Sequence, residues 1–309
     1  MKIAIVGAGI AGASCAQSLQ DRGHVVTLFD KGRGAGGRTA TRRVEGPDGD
    51  ISFDHGAQYF TARDPAFVAQ VEHWAGAGVA AAWPAAGADA WVGTPGMNAL
   101  VKTLTEGLEV EWSARVDAIR RVDGGWILDP VSVSTFDAVI VATPAEQAAP
   151  LLDAHDPAMA EAACACRSAP CWTAMVAFDD RVAIAGDIVR DRDILGWAAR
   201  NSAKPRRDQR EAWVLQATPD WSRAHLEDAA DGVVDALLSA LEAEATRPLP
   251  ATVVRIGHRW RYAKVAAARD RALWDSGQRI GAVGDWLLAP RVESAWLSGR
   301  MLADRIGPD

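Results

Sequence analysis

The chain has 309 residues, 49% of them hydrophobic and 24% charged, enough for one large or two ordinary domains with buried cores. Its formal net charge of −7 argues against nucleic acid or an anionic membrane as the main partner, and no apolar run approaches the ~20 residues that span a bilayer. Four cysteines make no disulfide framework, and Cys164, Cys166 and Cys171 have neither zinc-type spacing nor a nearby histidine, so they read as buried free thiols and no metal site is expected.

In chain order, the apolar run Lys2–Val6 meets Gly7-Ala8-Gly9-Ile10-Ala11-Gly12 with no gap. A helical segment follows from Ala13 to Arg22, then a second apolar run, Val25–Phe29, ending in Asp30. Strand, glycine turn, helix, strand and acid stand in the order of a dinucleotide-binding βαβ unit. Arg42–Phe53 predicts a hairpin around Gly46-Pro47-Asp48-Gly49. Asp64 caps a predicted helix from Pro65 to about Ala75. A loop runs from Gly76 to Ala90, and a helix from Met97 to about Glu106. Strands are predicted near Glu109–Trp112, Ala118–Val122, Trp126–Leu128 and Phe136–Ala142. Further strands fall at Trp172–Phe178, Ile194–Ala199, Ala212–Ala217 and Ala251–Trp260, with an amphipathic helix over Arg223–Ala243. Arg279–Asp285 is a last apolar run, and a terminal helix begins within Leu287–Gly299. Because the first strand starts at Lys2, removal of the apolar N-terminus as a signal would destroy the nucleotide unit, and a cytoplasmic protein is expected.

Each part of the βαβ unit has a chemical reason. Gly7 permits the tight turn, Gly9 lets a pyrophosphate approach the backbone, and Gly12 lets helix pack on strand. The helix start offers free N–H groups to phosphate, and Asp30 can accept from ribose hydroxyls. Arg38, after Gly36-Gly37, can hold a pyrophosphate bidentately. At the far end, Gly284-Asp285 can set a carboxylate against a ribityl or ribose hydroxyl. A helix from about Val292 would stabilise negative charge on a reduced flavin, if the cofactor is one. Nucleotide signals at both ends, with a sheet-and-helix region between, predict an α/β protein. Its discontinuous Rossmann-like cofactor domain spans 1–63, 93–150 and 279–309, and its antiparallel substrate domain spans 64–92 and 151–278.

These motifs resemble the FAD-binding domain of the amine oxidase and aromatic hydroxylase superfamily. Four segments narrow the likeness: Asp54–Arg63 (DHGAQYFTAR), Trp91–Met97 (WVGTPGM), His258–Ala263 (HRWRYA) and Arg291–Gly299 (RVESAWLSG). They are similar to the bacterial renalase family, from end to end of the chain. The resemblance implies a fold like that of p-hydroxybenzoate hydroxylase and monoamine oxidase, with non-covalent FAD. It implies oxidation of 2- and 6-dihydro isomers of NAD(P)H to NAD(P)+, with O2 reduced to hydrogen peroxide. The cofactor contacts that follow are Gly7, Gly9, Ile10, Ala11, Gly12, Asp30, Lys31, Gly37, Arg38, His55, Gly56, Ala57, Gln58, Val116, Gly284, Asp285, Val292, Glu293 and Ala295. Arg206–Arg210 matches no motif of the family, and its role stays open.

A dihydropyridine is already a hydride donor and needs no base, and the sequence shows no nucleophile–base pair. Thirteen tryptophans against two tyrosines suggest that some line a pocket. The candidates for aromatic walls and polar contacts are Tyr59, Trp83, Trp91, Trp197, Trp213, His258 and Trp260. His55 reads as a hydrogen-bonded histidine beside the cofactor or as a general base. Two other readings remain: an FAD-dependent amine oxidase, and a dinucleotide-binding sensor without turnover. In every reading the partner is a small molecule, and the oligomeric state is not legible.

Overall fold

Lys2–Val6 is buried at four of its five positions, as a strand covered on both faces must be. It lies inside a six-stranded sheet of a computed structural model that describes residues 1–266 and 272–307. Residues 267–271 and 308–309 of the two expected domains lie outside the described residues. The strand order is Leu273–Asp275, Ile280–Ala282, Ala138–Val141, Lys2–Val6, Val25–Asp30 and Glu109–Trp112. All neighbours pair parallel except the first two, which are antiparallel. The chain reverses its strand order around Lys2–Val6, so a crevice opens beyond the carboxyl ends of that strand and Ala138–Val141.

Close backbone contact builds the layer above the sheet. A Cβ on Gly12 would lie 1.9 Å from the Gly7 carbonyl oxygen, so only glycine admits the packing of helix Ile10–Gln20 on its own turn. Helix Val292–Ile306 crosses the same helix at Gly299, where a Cβ would stand 2.4 Å from the Ala11 carbonyl oxygen. The Ser14 hydroxyl donates to the Trp296 carbonyl across that contact (2.9 Å). On the sheet's other side, Trp126, Leu152, Met159 and Trp286 form a separate apolar core.

A five-stranded antiparallel sheet forms the second body, in the order Ile188–Arg192, Leu195–Arg200, Ala212–Ala217, Ser168–Phe178 and Thr252–Val265. Helix Ala230–Glu242 covers one face through Val233, Val234, Leu237 and Leu241. The hairpin of Thr41–Gly46 and Gly49–Asp54 covers the other, with Ile51 and Phe53 against Met175, Val214 and Val254. Among the described residues no helix is long and apolar enough to cross a membrane.

Several local expectations change in the tertiary context. The helix predicted over Arg223–Ala243 is two, Pro219–Ala224 and Ala230–Glu242. Between them the carbonyls of His225 and Leu226, which a continuous helix needs, accept from Trp172 Nε1 (2.8 Å) and Arg259 Nη1 (2.5 Å). Part of the loop Gly76–Ala90 is strand Ala80–Ala82, which pairs with Ala90–Gly93 beside Phe60–Thr61. The helix expected from Met97 is only Ala99–Leu104, and two unanticipated helices occupy Ala145–Leu152 and Pro157–Cys164. Cys15 and Cys166 are buried, but Cys164, at the end of its helix, is exposed. Asp64 does cap helix Pro65–Gly76, accepting from Ala66 N (2.9 Å) and Phe67 N (3.4 Å). That helix places Phe67, Val71 and Trp74 in the core that holds Ile3, Leu19 and Trp296, so segment 64–92 packs beside the helices of the parallel sheet.

Gly299→Val tests the close helix crossing. Over-packing there is expected to lower stability by about 1–3 kcal/mol, read as a reduced urea midpoint with unchanged m-value. A wild-type midpoint would rule out the contact as a constraint.

Candidate active site

The two sheets and the hairpin line a cavity of about 1900 Å³. Sites for single drug-sized ligands span roughly 300–1,000 Å³, so this one has room for a large cofactor and a second molecule. Eleven lysines and arginines line it against five aspartates and glutamates, in a chain whose overall charge is −7. Two helices begin at it, Ile10–Gln20 and Val292–Ile306, and neither carries a side-chain cap. Their first N–H groups and positive dipole ends are therefore available to an anion.

The residues at the crevice fit a dinucleotide. A Cβ on Gly9 would meet nothing within 4 Å, so this turn faces open cavity, while Gly7 holds a φ of +108°. Asp30 Oδ2 accepts from Ala8 N and Oδ1 from Gly32 N, both at 2.7 Å. The carboxylate thus braces the turn and keeps acceptor capacity toward the cavity it lines. Arg38 Nη2 lies 2.5 Å from Asp285 Oδ1, so groups 247 residues apart meet at the cavity wall. Ile10, Ala11, Lys31, Gly37, Gly56, Ala57, Val116, Gly284, Val292 and Ala295 also line it.

Three residues assigned to cofactor contact lie elsewhere. Gly12 faces the Gly7 carbonyl and serves packing. The buried Glu293 carboxylate accepts from Arg63 N (2.6 Å) and Asp64 N (2.7 Å), tying the C-terminal helix to the entry of helix Pro65–Gly76. Gln58 points behind the cavity wall, where its amide donates to the Gly56 carbonyl (3.1 Å) and accepts from Lys204 Nζ (3.1 Å).

Of the aromatic candidates, Trp197, His258 and Trp260 line the cavity. His258 and Trp260 are alternate residues of strand Thr252–Val265 and so share one face. Trp260 stacks on His55 (5.1 Å between centroids, 27°) and donates to the His55 carbonyl (2.8 Å), while His258 meets both rings edge-on. The other four do not reach the cavity. Trp213 is fully buried under helix Ala230–Glu242, with its indole on Glu211. Trp83 is core beside the parallel sheet, Trp91 pairs with Phe60 in the small sheet, and Tyr59 backs Trp197 at 5.3 Å. A lone tryptophan carries no signal of which side of a strand faces the core, so only the alternation of 258 and 260 could be read in advance.

Burial pushes the His55 imidazole down to about 4, helped by His258 and Arg42; burial and Arg42 lower His258 as well. Both rings are thus neutral hydrogen-bonding groups at neutral pH. Among the described residues the buried His55 Nδ1 makes no well-formed hydrogen bond. A buried polar atom on a cavity wall calls for a group from the ligand, which favours cofactor contact over general base.

Arg42 and Gln216 were missed from the sequence. Gln216 Nε2 holds the Gly56 carbonyl (2.8 Å), and Arg42 lines the cavity from the hairpin. Arg206–Arg210, left open above, sews the antiparallel sheet to neighbouring segments. Arg207 binds Asp54, Arg210 donates to the carbonyls of Gly49 (2.7 Å) and Asp50 (2.8 Å), and Arg206 donates to Gly78 (3.1 Å). Among the described residues no group of His, Cys, Asp and Glu could hold a metal ion.

Comparison with known proteins agrees with this geometry. Residues 5–72 match the NAD(P)-binding Rossmann-like domain, and residues 84–307 match the flavin containing amine oxidoreductase family. A structure of putrescine oxidase bound to putrescine is similar over 99% of each chain, with a TM-score of 0.72 at 14% identity. Cyclohexylamine oxidase from Brevibacterium oxydans has a TM-score of 0.72 at 12% identity, over 99% of this chain and 98% of that one. An oxidoreductase from Methanosarcina mazei has a TM-score of 0.63 at 12% identity, over 98% of this chain and all of that one. The α/β architecture, a Rossmann-like domain joined to a sheet-and-helix domain, is shared with these enzymes. The chain belongs to the flavin containing amine oxidoreductase family, and its cofactor is FAD.

Proposed function

We propose that the protein is an FAD-dependent oxidase of dihydronicotinamide dinucleotides, as in the renalase family. It takes a hydride from the 2- and 6-dihydro isomers of NAD(P)H. The balance is dihydronicotinamide plus O2 and a proton, giving the oxidised nicotinamide and hydrogen peroxide. The observation that carries this reading over amine oxidation is the polarity of the cavity. Cations outnumber carboxylates eleven to five on its lining. Ion pairs engage Arg38 and Arg115 with Asp285 and Asp117, and Arg259, Arg261 and Arg291 with Glu227 and Glu293, which leaves six lining cations against three lining carboxylates. Such a wall favours a polyanionic dinucleotide and disfavours a protonated amine.

The residues divide the work. The Gly7–Ala11 turn, both helix starts, Asp30, Arg38 and Asp285 would hold FAD, and the loop His55–Ala57 would lie against it. Bound FAD supplies the two-electron acceptor. Trp260 and Trp197 supply flat walls, and neutral His55 and His258 supply hydrogen bonds without adding charge. Positioning a reactive donor is the main task, because the substrate needs no proton removed.

Anaerobic titration of the FAD protein separates the readings. The 2- and 6-dihydro isomers are expected to bleach the flavin visible band stoichiometrically, and putrescine and cyclohexylamine to leave it unchanged. Bleaching by the amines alone would establish amine oxidation instead. Trp260→Ala is expected to retain FAD and slow that reduction by up to about 10²-fold, since a misplaced donor loses orientation. An unchanged rate would remove Trp260 from the substrate wall.

The buried histidine also sets a pH dependence. Unfolded His55 takes up a proton near pH 6.5, while the folded ring resists until about 4. The unfolded state thus binds more protons between these values, and stability falls as pH drops from 6.5 toward 4, by about 1.4 kcal/mol per pH unit from this group. His55→Gln should flatten the slope in urea unfolding at pH 5 and 7; an identical slope would discard the assignment.

A further inference from the structure

The loop that brings His55, Gly56 and Ala57 to the cavity is fastened from behind by a buried ion cluster that the reaction above does not use. Asp54 Oδ2 meets Arg207 Nη2 at 2.6 Å, Arg207 Nε at 3.1 Å and Lys204 Nζ at 3.3 Å. Asp54 Oδ1 accepts from Met97 N (2.9 Å) and the Thr41 hydroxyl (2.8 Å). Lys204 Nζ donates onward to Gln58 Oε1 (3.1 Å), and Gln58 Nε2 returns to the Asp54 carbonyl (2.5 Å). The Trp83 ring lies 5.4 Å from the ammonium. The side chains of Asp54 and Lys204 are 0% exposed and that of Arg207 is 1% exposed.

One carboxylate faces two cations, so this buried cluster carries an excess positive charge. Burying an ion in protein is penalised by several kcal/mol unless its surroundings compensate. Arg207 alone, through two nitrogens, already balances Asp54. Neutralisation is therefore not what Lys204 adds. Its distinct contribution is a second, side-chain link between Asp54 and Gln58, the two ends of a five-residue loop, beside the direct bond from Gln58 Nε2 to the Asp54 carbonyl. The three residues between them line the cavity, and none of Asp54, Gln58 or Lys204 does.

We propose that Lys204 is a positioning residue for FAD: its ammonium ties the Asp54 carboxylate to the Gln58 amide, fixing the span of the loop that presents Gly56 and Ala57 to the cofactor. The inference rests on FAD occupying the cavity and is independent of which substrate is oxidised. Charge also says which variants will fold. Lys204→Met leaves Asp54 and Arg207 balanced, whereas Asp54→Asn would strand two buried cations.

The test uses Lys204→Met, Gln58→Leu and the double variant, each as apoprotein reconstituted with FAD. Lys204→Met is expected to raise the FAD dissociation constant about tenfold and alter the visible circular dichroism of the bound flavin. Gln58→Leu should do the same. The double variant should be no worse than Gln58→Leu alone, because that variant already removes the Lys204 link together with the Gln58 donations to the Asp54 and Gly56 carbonyls. A flavin spectrum and affinity within twofold of wild type in Lys204→Met would overturn the proposal, as would full additivity in the double variant. A drop in apoprotein melting temperature with an unchanged flavin signature would mean that the cluster serves stability alone. If Lys204→Met fails to fold, Gln58→Leu, which leaves every charge in place, decides by the same criteria.

Discussion

Parallel strands all end on the same edge of their sheet, and here that edge gathers the Gly7 turn, two helix starts and the Arg38–Asp285 pair on one side of the cavity. Val6 and Val141 pair at the carboxyl ends of adjacent strands, and the chain leaves them into Gly7 on one side and Thr143 on the other. The turn at Gly7, helix Ile10–Gln20 and the far-end pair Gly284-Asp285 meet there because strand Ile280–Ala282 joins the same parallel sheet beside Ala138–Val141. The pairing registers thus bring residues nearly 300 positions apart to one crevice, and the contact of Arg38 with Asp285 closes it. Gly12 and Gly299 allow the two flanking helices to approach closely enough for both uncapped starts to open on it.

The antiparallel sheet supplies the opposite wall and most of its chemistry. His258 and Trp260 share one face of strand Thr252–Val265 at the cavity, while Arg259 and Arg261, at the cavity's edge, bind Glu227. Cations such as Arg42, which lowers the His258 imidazole, contribute to a positive potential across the wall. The joint at the hairpin combines the apolar contact of Ile51 and Phe53 on the antiparallel sheet with a buried ion cluster. Asp54, Lys204 and Arg207 fasten the hairpin to loop 201–210 with no exposed charge, a type of contact that fixes geometry more strongly than it adds stability.

The parts legible in the sequence were those written in contiguous residues. The βαβ unit, the hairpin around Gly46–Gly49, the Asp64 cap with Pro65, and most strands of the second sheet could be read because each depends on local conformation and periodicity. The broken helix at His225 could not, because indole and guanidinium groups from two distant strand residues capture its carbonyls. The tryptophans divide similarly. Trp83 and Trp213 are buried in cores, whereas Trp91 and Trp197 are both partly buried against one core and only Trp197 lines the cavity, a difference that sequence does not carry.

Sequence by itself determined the dinucleotide-binding βαβ unit at the start of this chain, since strand, glycine turn and acid are local signals with local causes. Tertiary structure decided the rest. Gln58 and Glu293 sit within motifs that point at the cofactor, yet their side chains turn away to Lys204 and to the amides of Arg63 and Asp64. A buried polar group goes where its hydrogen bonds can be completed, and those partners lie 146 and 230 residues away in the chain.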